Sequence, residues 1–278
     1  MNISPVEWFR IVSGYFFAGL VGLLLASAAG CATKLGGTAV SGTRTEIVTE
    51  SDEPEVRRRA RIRLELAVGY FEQGQTTIAL DELKQSLATD PEYAEAYSLR
   101  GLIYMRLNDY RYAEESFKRA IVLNPQDSNV VHNLGWLMCL QARYPESFEL
   151  FVKAISNPQY GERAKTYRAL GLCQLRAGLR GEAEASLLKS HEFDAANPVT
   201  VFNLGKLMFQ RGDFVRAQFY VRRLNNSEMA NAESLWLGVK VERRMENRDA
   251  MLQLGGQLLK RFPQSNEAAA YQRSSFDE

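Results

Sequence analysis

The chain is 278 residues long and sets 34 Lys and Arg against 33 Asp and Glu, a formal net charge of +1. That balance excludes a large uniform field for nucleic acid or an anionic surface. With 46% hydrophobic residues, eight prolines and few alternating apolar runs, the composition permits a packed core and points to a helical class. Three cysteines and two histidines, with no Cys-x-x-Cys or His-Glu-x-x-His spacing, fall short of a closed zinc site. No catalytic constellation stands out, so neither a metal, a cofactor, a small-molecule substrate nor an enzymatic activity is expected.

Residues 11–30, IVSGYFFAGLVGLLLASAAG, carry no charge and end in small side chains, with Arg10 and the amino terminus giving a weakly positive start that Glu7 dilutes. This is the pattern of an export signal. Cys31 follows Ala28, Ala29 and Gly30 directly. Small residues before a thiol are what a lipoprotein signal peptidase needs, so Cys31 is the expected lipidation site, although Ala28 stands where Leu is usual. Ordinary cleavage at Ala26-Ser27-Ala28 and retention of the apolar run as an anchor stay open. By resemblance to lipoproteins of this type, Ala32 rather than Asp after the cysteine implies release to the outer membrane, on its periplasmic face. Residues 31–55, rich in Gly, Thr, Ser and acid, show no apolar periodicity and are expected to form a flexible tether.

The body carries one pattern six times. Asp90-Pro91 and Asn124-Pro125 place their prolines 34 residues apart, and between them fall Tyr97, Gly101, Tyr104, Tyr110, Ala113, Phe117 and Ala120. This is the tetratricopeptide signature. Gly101 and Ala113 are the expected small contacts between paired helices, with Tyr104 and Phe117 filling the space to the next repeat. Leu-Gly pairs at 134–135, 170–171, 204–205 and 237–238 continue the register, with two residues inserted before the fourth repeat. The fold expected is all-α, a solenoid of about six helix-turn-helix repeats over residues 56–264 in a right-handed superhelix. Residues 265–278 form a tail or a short capping helix.

In such a solenoid the first helix of each repeat lines the concave face, and side chains three and four apart share a stripe. The register predicts that stripe as Leu64, Val68 and Phe71; Ser98, Leu102 and Met105; His132, Trp136 and Cys139; Arg168, Leu172 and Leu175; and Phe202, Lys206 and Phe209. Its apolar members are the candidate partner-binding residues, Trp136, Phe202 and Phe209 foremost, because accessible aromatics dominate binding energy. Leu64, Val68 and Leu99 stand where carboxylate-gripping repeat domains carry Lys and Asn, which argues against that mode. His132 is read as a hydrogen-bonded structural residue. Cys139 and Cys173 are also 34 apart. They could pair across neighbouring repeats, but two buried free thiols are the reading favoured. Arg57, Arg58, Arg59, Arg61 and Arg63 are expected on a solvated face, with lipid headgroups or an acidic partner as the sharper alternative.

A lipobox, a polar tether and six such repeats together resemble the type IV pilus biogenesis and stability lipoproteins, the PilF/PilW pilotins. Segments such as RIRLELAVGYFEQGQTTIALDELKQSLATDP and VVHNLGWLMCLQARYPESFELFVKAI look like that family's opening repeats. The resemblance implies a periplasm-facing lipoprotein that binds secretin subunits and assists their outer-membrane assembly, in support of pilus extension and twitching motility. A scaffold for another envelope machine, in outer-membrane protein assembly or cell-wall synthesis, would share every feature except the partner.

Overall fold

Asp and Asn punctuate the chain where helices begin, because their side-chain oxygens accept amide hydrogens that a first helical turn leaves unpaired. Asp109 accepts from the Tyr112 amide, Asp127 from Asn129 and Val130, Asn197 from Thr200, Asp213 from Arg216 and Asn247 from Ala250. Asn231 and Ser234 close a reciprocal capping box. A computed structural model describes residues 52–276. Its helices are α1 (Glu55–Glu72), α2 (Thr76–Thr89), α3 (Ala94–Arg106), α4 (Tyr110–Leu123), α5 (Ser128–Leu140), α6 (Tyr144–Ser156) and α7 (Arg163–Arg176). They continue with α8 (Arg180–Phe193), α9 (Pro198–Arg211), α10 (Phe214–Asn225), α11 (Ala232–Arg244), α12 (Arg248–Arg261) and α13 (Asn266–Gln272). Among the described residues every regular element is a helix, and none is long and apolar enough to cross a membrane. The expected signal peptide, the lipid acceptor Cys31 and nearly all of the expected tether lie outside the described residues, as do the last two of the tail.

Helices α1 to α12 pair in sequence into six helix-turn-helix repeats, and α13 packs against α11 and α12. The turn inside every repeat reverses on one residue in the left-handed region: Gly74, Asn108, Ala142, Gly178, Gly212 and Glu246, with φ between 57° and 84°. Glycine meets that demand at three of the six; Asn108, Ala142 and Glu246 hold it with a Cβ. The linker of six residues before α7, against four before α5, is the expected insertion.

Within each pair a small residue on the first helix faces a large one on the second, sixteen positions later. The pairs are Ala67 with Leu83, Gly101 with Phe117, Gly135 with Phe151, Gly171 with Leu187, Gly205 with Val221 and Gly238 with Leu254. A Cβ at Gly101 would stand 2.5 Å from the Phe117 ring, and one at Gly171 2.7 Å from Leu187. Those distances leave no room for any side chain, so glycine here is a packing requirement. Ala113, Phe117, Phe151, Leu187, Leu204 and Leu258 are fully buried along the axis of the stack. Tyr104, expected as a filler, is only half-buried against the Phe117 cluster.

First helices also touch first helices, α1 with α3, α3 with α5, α5 with α7 and α9 with α11, whereas no pair of second helices meets to a comparable extent. The first helices therefore line the inner side of the curvature. Between the third and fourth repeats two cross-links stitch this inner layer. His132 Nδ1 lies 2.8 Å from Thr166 Oγ1, which also meets the Tyr160 hydroxyl at 2.9 Å. Cys139 and Cys173 are joined in a disulfide with Cα atoms 5.9 Å apart. The expectation of two free thiols is thereby corrected: neighbouring first helices run side by side at a distance that a disulfide spans without backbone movement.

The basic run on α1 is also more structural than expected. Arg57 pairs with Asp90, Arg58 with Glu55, Arg61 with Glu53 and Glu65, and Arg63 with Glu82 at 2.9 Å. Arg57 and Arg63 thus tie α1 to the end of α2 and to its middle, while Arg59 stays exposed.

Candidate partner-binding surface

Each first helix turns one face to its own second helix and another inward. The inward side chains are three and four apart because a turn takes 3.6 residues. None of the ten apolar stripe residues singled out in the sequence is fully buried. Leu64 and Phe71 lie half-buried against the first-repeat core, Leu102 and Met105 against the Phe117 cluster and Trp136 against Cys139 and Phe151. Leu175, Phe202 and Phe209 border the Leu204 cluster, Leu172 is half-buried, and Val68 is 38% exposed.

The stripe has two interruptions, at residues the sequence had read as a structural histidine and a buried cysteine. Cys139 is buried in its disulfide, and His132 is 5% exposed with its ring against Phe151. Burial, and then the positive charges of Lys165 and Arg168, lower the His132 pKa to about 4, so the ring is neutral at neutral pH. Leu99 is a core residue rather than a concave one.

A second feature was absent from the sequence reading: cations from the following repeat cover three of the four aromatic members of the stripe. The Arg106 guanidinium on α3 lies 5.3 Å from the centre of the Phe71 ring on α1, and Arg176 on α7 lies 4.8 Å from Trp136 on α5. The Lys240 ammonium on α11 is 5.9 Å from Phe209 on α9 and 5.5 Å from Trp236. Ring faces attract such cations, and the surface that results is apolar with a positive coat.

The structure does not gather all ten residues into one hollow; each repeat contributes its own segment. Phe202 and Phe209 do converge, with Lys206, Gln210, Glu233, Trp236, Leu237, Lys240 and Glu267, on a groove of about 280 Å³ between α9, α11 and α13. Leu175, Lys206 and Gln210 line a smaller hollow beside it. Trp236 and Lys240 were missed because the Leu-Gly pairs at 204–205 and 237–238 are only 33 residues apart. Counted from those pairs, the inward positions of the sixth repeat are Leu235 and Val239, both fully buried. Steps of 34 from Phe202 and Lys206 lead instead to Trp236 and Lys240. Among the described residues no three His, Cys, Asp or Glu side chains gather closely enough to hold a metal ion.

With this geometry in hand, known proteins bear directly on identity. The tetratricopeptide-repeat family pattern matches residues 94–127, and a related TPR-repeat pattern matches residues 69–108. The type IV pilus assembly protein PilF of Pseudomonas aeruginosa is 26% identical over 255 residues, which span 92% of this chain and 97% of that protein. The crystal structure of PilW, described as a widely conserved type IV pilus biogenesis factor, superposes with a TM-score of 0.69 at 27% identity, covering 79% of this chain and 99% of PilW. The chain is a type IV pilus tetratricopeptide-repeat protein of the PilF/PilW kind. The solved structure of Pseudomonas aeruginosa PilF, at a TM-score of 0.72 and 24% identity over 80% of this chain and all of its own, has the same fold.

Proposed function

We propose that this protein is an outer-membrane lipoprotein, acylated on Cys31 and facing the periplasm, that captures secretin subunits of the type IV pilus and assists their assembly in the outer membrane. The observation that carries the reading is the inner stripe: ten apolar side chains on five successive first helices, none of them fully buried. These side chains border the core clusters yet keep part of their apolar surface uncovered, and that surface matches an apolar segment of a partner. Tetratricopeptide repeats are protein-interaction modules, and long first-helix surfaces suit chains that are captured before they assemble. Acylation at Cys31 would hold the scaffold where a secretin inserts, and residues 32–54 would give it reach.

The test is co-purification from envelope extracts of cells carrying a tagged full-length chain. Secretin should copurify with the parent protein, and a Cys31→Ser chain should lose both label from a palmitate analogue and outer-membrane fractionation. Equal labelling of parent and Ser chains would remove the lipoprotein part of the proposal. Recovery of another envelope assembly machine without secretin would replace the partner.

A further inference from the structure

The groove between α9, α11 and α13 sorts its charges by position. Glu233 and Glu267 are each the second residue of their helices, α11 and α13. Lys206 and Lys240 are each the ninth residue of theirs, α9 and α11. Seven residues separate Glu233 from Lys240 on one helix, which is about 10 Å along the axis. Phe202, Trp236 and Leu237 form the floor between these two ends, and Phe209 continues it past the ammonium end. Trp236 is fixed there by the Phe276 ring stacked at 5.5 Å and by the edge of Tyr271 at 6.4 Å. The groove thus has a carboxylate pair at one end and an ammonium pair at the other.

We propose that this groove is a peptide-docking site for an extended segment carrying one basic and one acidic side chain on either side of an apolar anchor. Extended chain advances about 3.3 Å per residue, so groups matching the two ends stand about three residues apart. The acidic side chain lies between Lys206 and Lys240, the basic one between Glu233 and Glu267, and the anchor rests on Phe202. Lys206 on α9 and Lys240 on α11 both line that end of the groove, so one carboxylate there meets two ammonium groups. Opposed charge pairs also set the direction in which the segment lies. The inference rests on the reading of the inner stripe as a partner-binding face and adds the chemistry of what its fifth and sixth repeats select.

The probes are acetylated, amidated, fluorescein-labelled peptides with Lys and Asp three, four or five positions apart around a Phe-Leu core, titrated by anisotropy against the full chain in detergent. The expected result is that one of these binds at least tenfold tighter than the same peptide with Gln and Asn in place of the charges. Lys206→Glu with Lys240→Glu should erase that preference and, in exchange, favour a peptide whose Asp is replaced by Lys. A groove that is merely structural cannot swap its preference, so this arm separates recognition from damage. Equal affinity for charged and neutral peptides, no binding of any, or no swap in the double variant overturns the proposal. Secretin capture without peptide selectivity sinks this inference alone, whereas selectivity without secretin capture leaves it standing and removes the partner proposed above.

Discussion

The edge of the Phe117 ring occupies the space a side chain on Gly101 would need, 2.5 Å from where its Cβ would stand. Phe117 is fully buried and Gly101 sits where α3 and α4 come closest, so neither can retreat into solvent. Gly101→Leu is expected to cost about 1–3 kcal/mol or more through overpacking, partly offset by the better helix propensity of Leu. Thermal unfolding followed by circular dichroism should show the lower midpoint. Adding Phe117→Ala to Gly101→Leu should recover part of the loss, because the second change vacates the volume the first one claims. An unchanged midpoint in the single variant would remove the sixteen-residue packing rule at its strongest instance.

The disulfide between Cys139 and Cys173 closes a loop across 34 positions and joins α5 to α7. Loop-closure entropy for a ring of that size amounts to roughly 4 kcal/mol. Replacing both cysteines with Ser should lower the unfolding midpoint in urea by a corresponding amount, and a thiol reductant should do the same to the parent chain but not to the variant. Intact mass should fall by two hydrogens on oxidation of the parent. A reductant-insensitive midpoint in the parent would contradict the cross-link.

His132 gives the fold a dependence on pH. Its folded pKa of about 4 lies below the ordinary 6.5, so between those values the unfolded chain binds the extra proton and the folded chain does not. Stability contributed by the neutral ring is therefore complete above about pH 6.5 and is lost progressively as the pH falls towards 4, by about 3 kcal/mol in all. His191 is shifted in the same direction, by burial first and then by Arg223, and adds to the loss over the same side of neutrality. Urea midpoints at pH 7 and pH 5 should differ for the parent and differ less for His132→Asn, whose amide keeps a hydrogen bond to Thr166 without titrating. The same pH response in both would assign the effect elsewhere.

How much of this was legible in the sequence depends on whether a feature lies within one repeat or between two. Gly101, Ala113 and Phe117 obey spacings internal to a repeat, and the sequence exposes those directly; the six pairs of helices follow from repeating them. The disulfide did not follow, because 34 residues between Cys139 and Cys173 suggest equivalent positions, while the insertion makes the local step 36, from Gly135 to Gly171. The two thiols are therefore at different positions of their helices, and only the offset between α5 and α7 brings them together. His132 was recognised as hydrogen-bonded, but its burial comes from Thr166 and Tyr160 in the linker and helix that follow. The α9–α11–α13 groove was half visible: Phe202 and Phe209 were in the stripe, and Trp236 and Lys240 were hidden by a 33-residue step between Leu-Gly pairs.

The stripe itself is tested by removing Trp136 and Phe202 together. Both are half-buried on the inner side of first helices, Trp136 beneath the Arg176 guanidinium and Phe202 on the groove floor. Neither belongs to a sixteen-residue pair, so truncation to Ala removes surface from a partner more than it opens a cavity between α5 and α6 or α9 and α10. Each also borders a core cluster, so some destabilisation is expected, smaller than the 3–5 kcal/mol of a fully buried aromatic. An aromatic that anchors a ligand costs about 2 kcal/mol or more when cut to Ala, which is about thirtyfold in affinity for one residue and far more for two. Purified secretin segments should therefore bind the double variant much more weakly than either single one, while helical content by circular dichroism stays at the parental level. Trp136→Phe with Phe202→Leu keeps the apolar volume and should retain most of the affinity, which separates loss of contact from loss of fold. Parental affinity in a folded Ala double variant would take the stripe out of secretin capture and move the search to the exposed residues of α1.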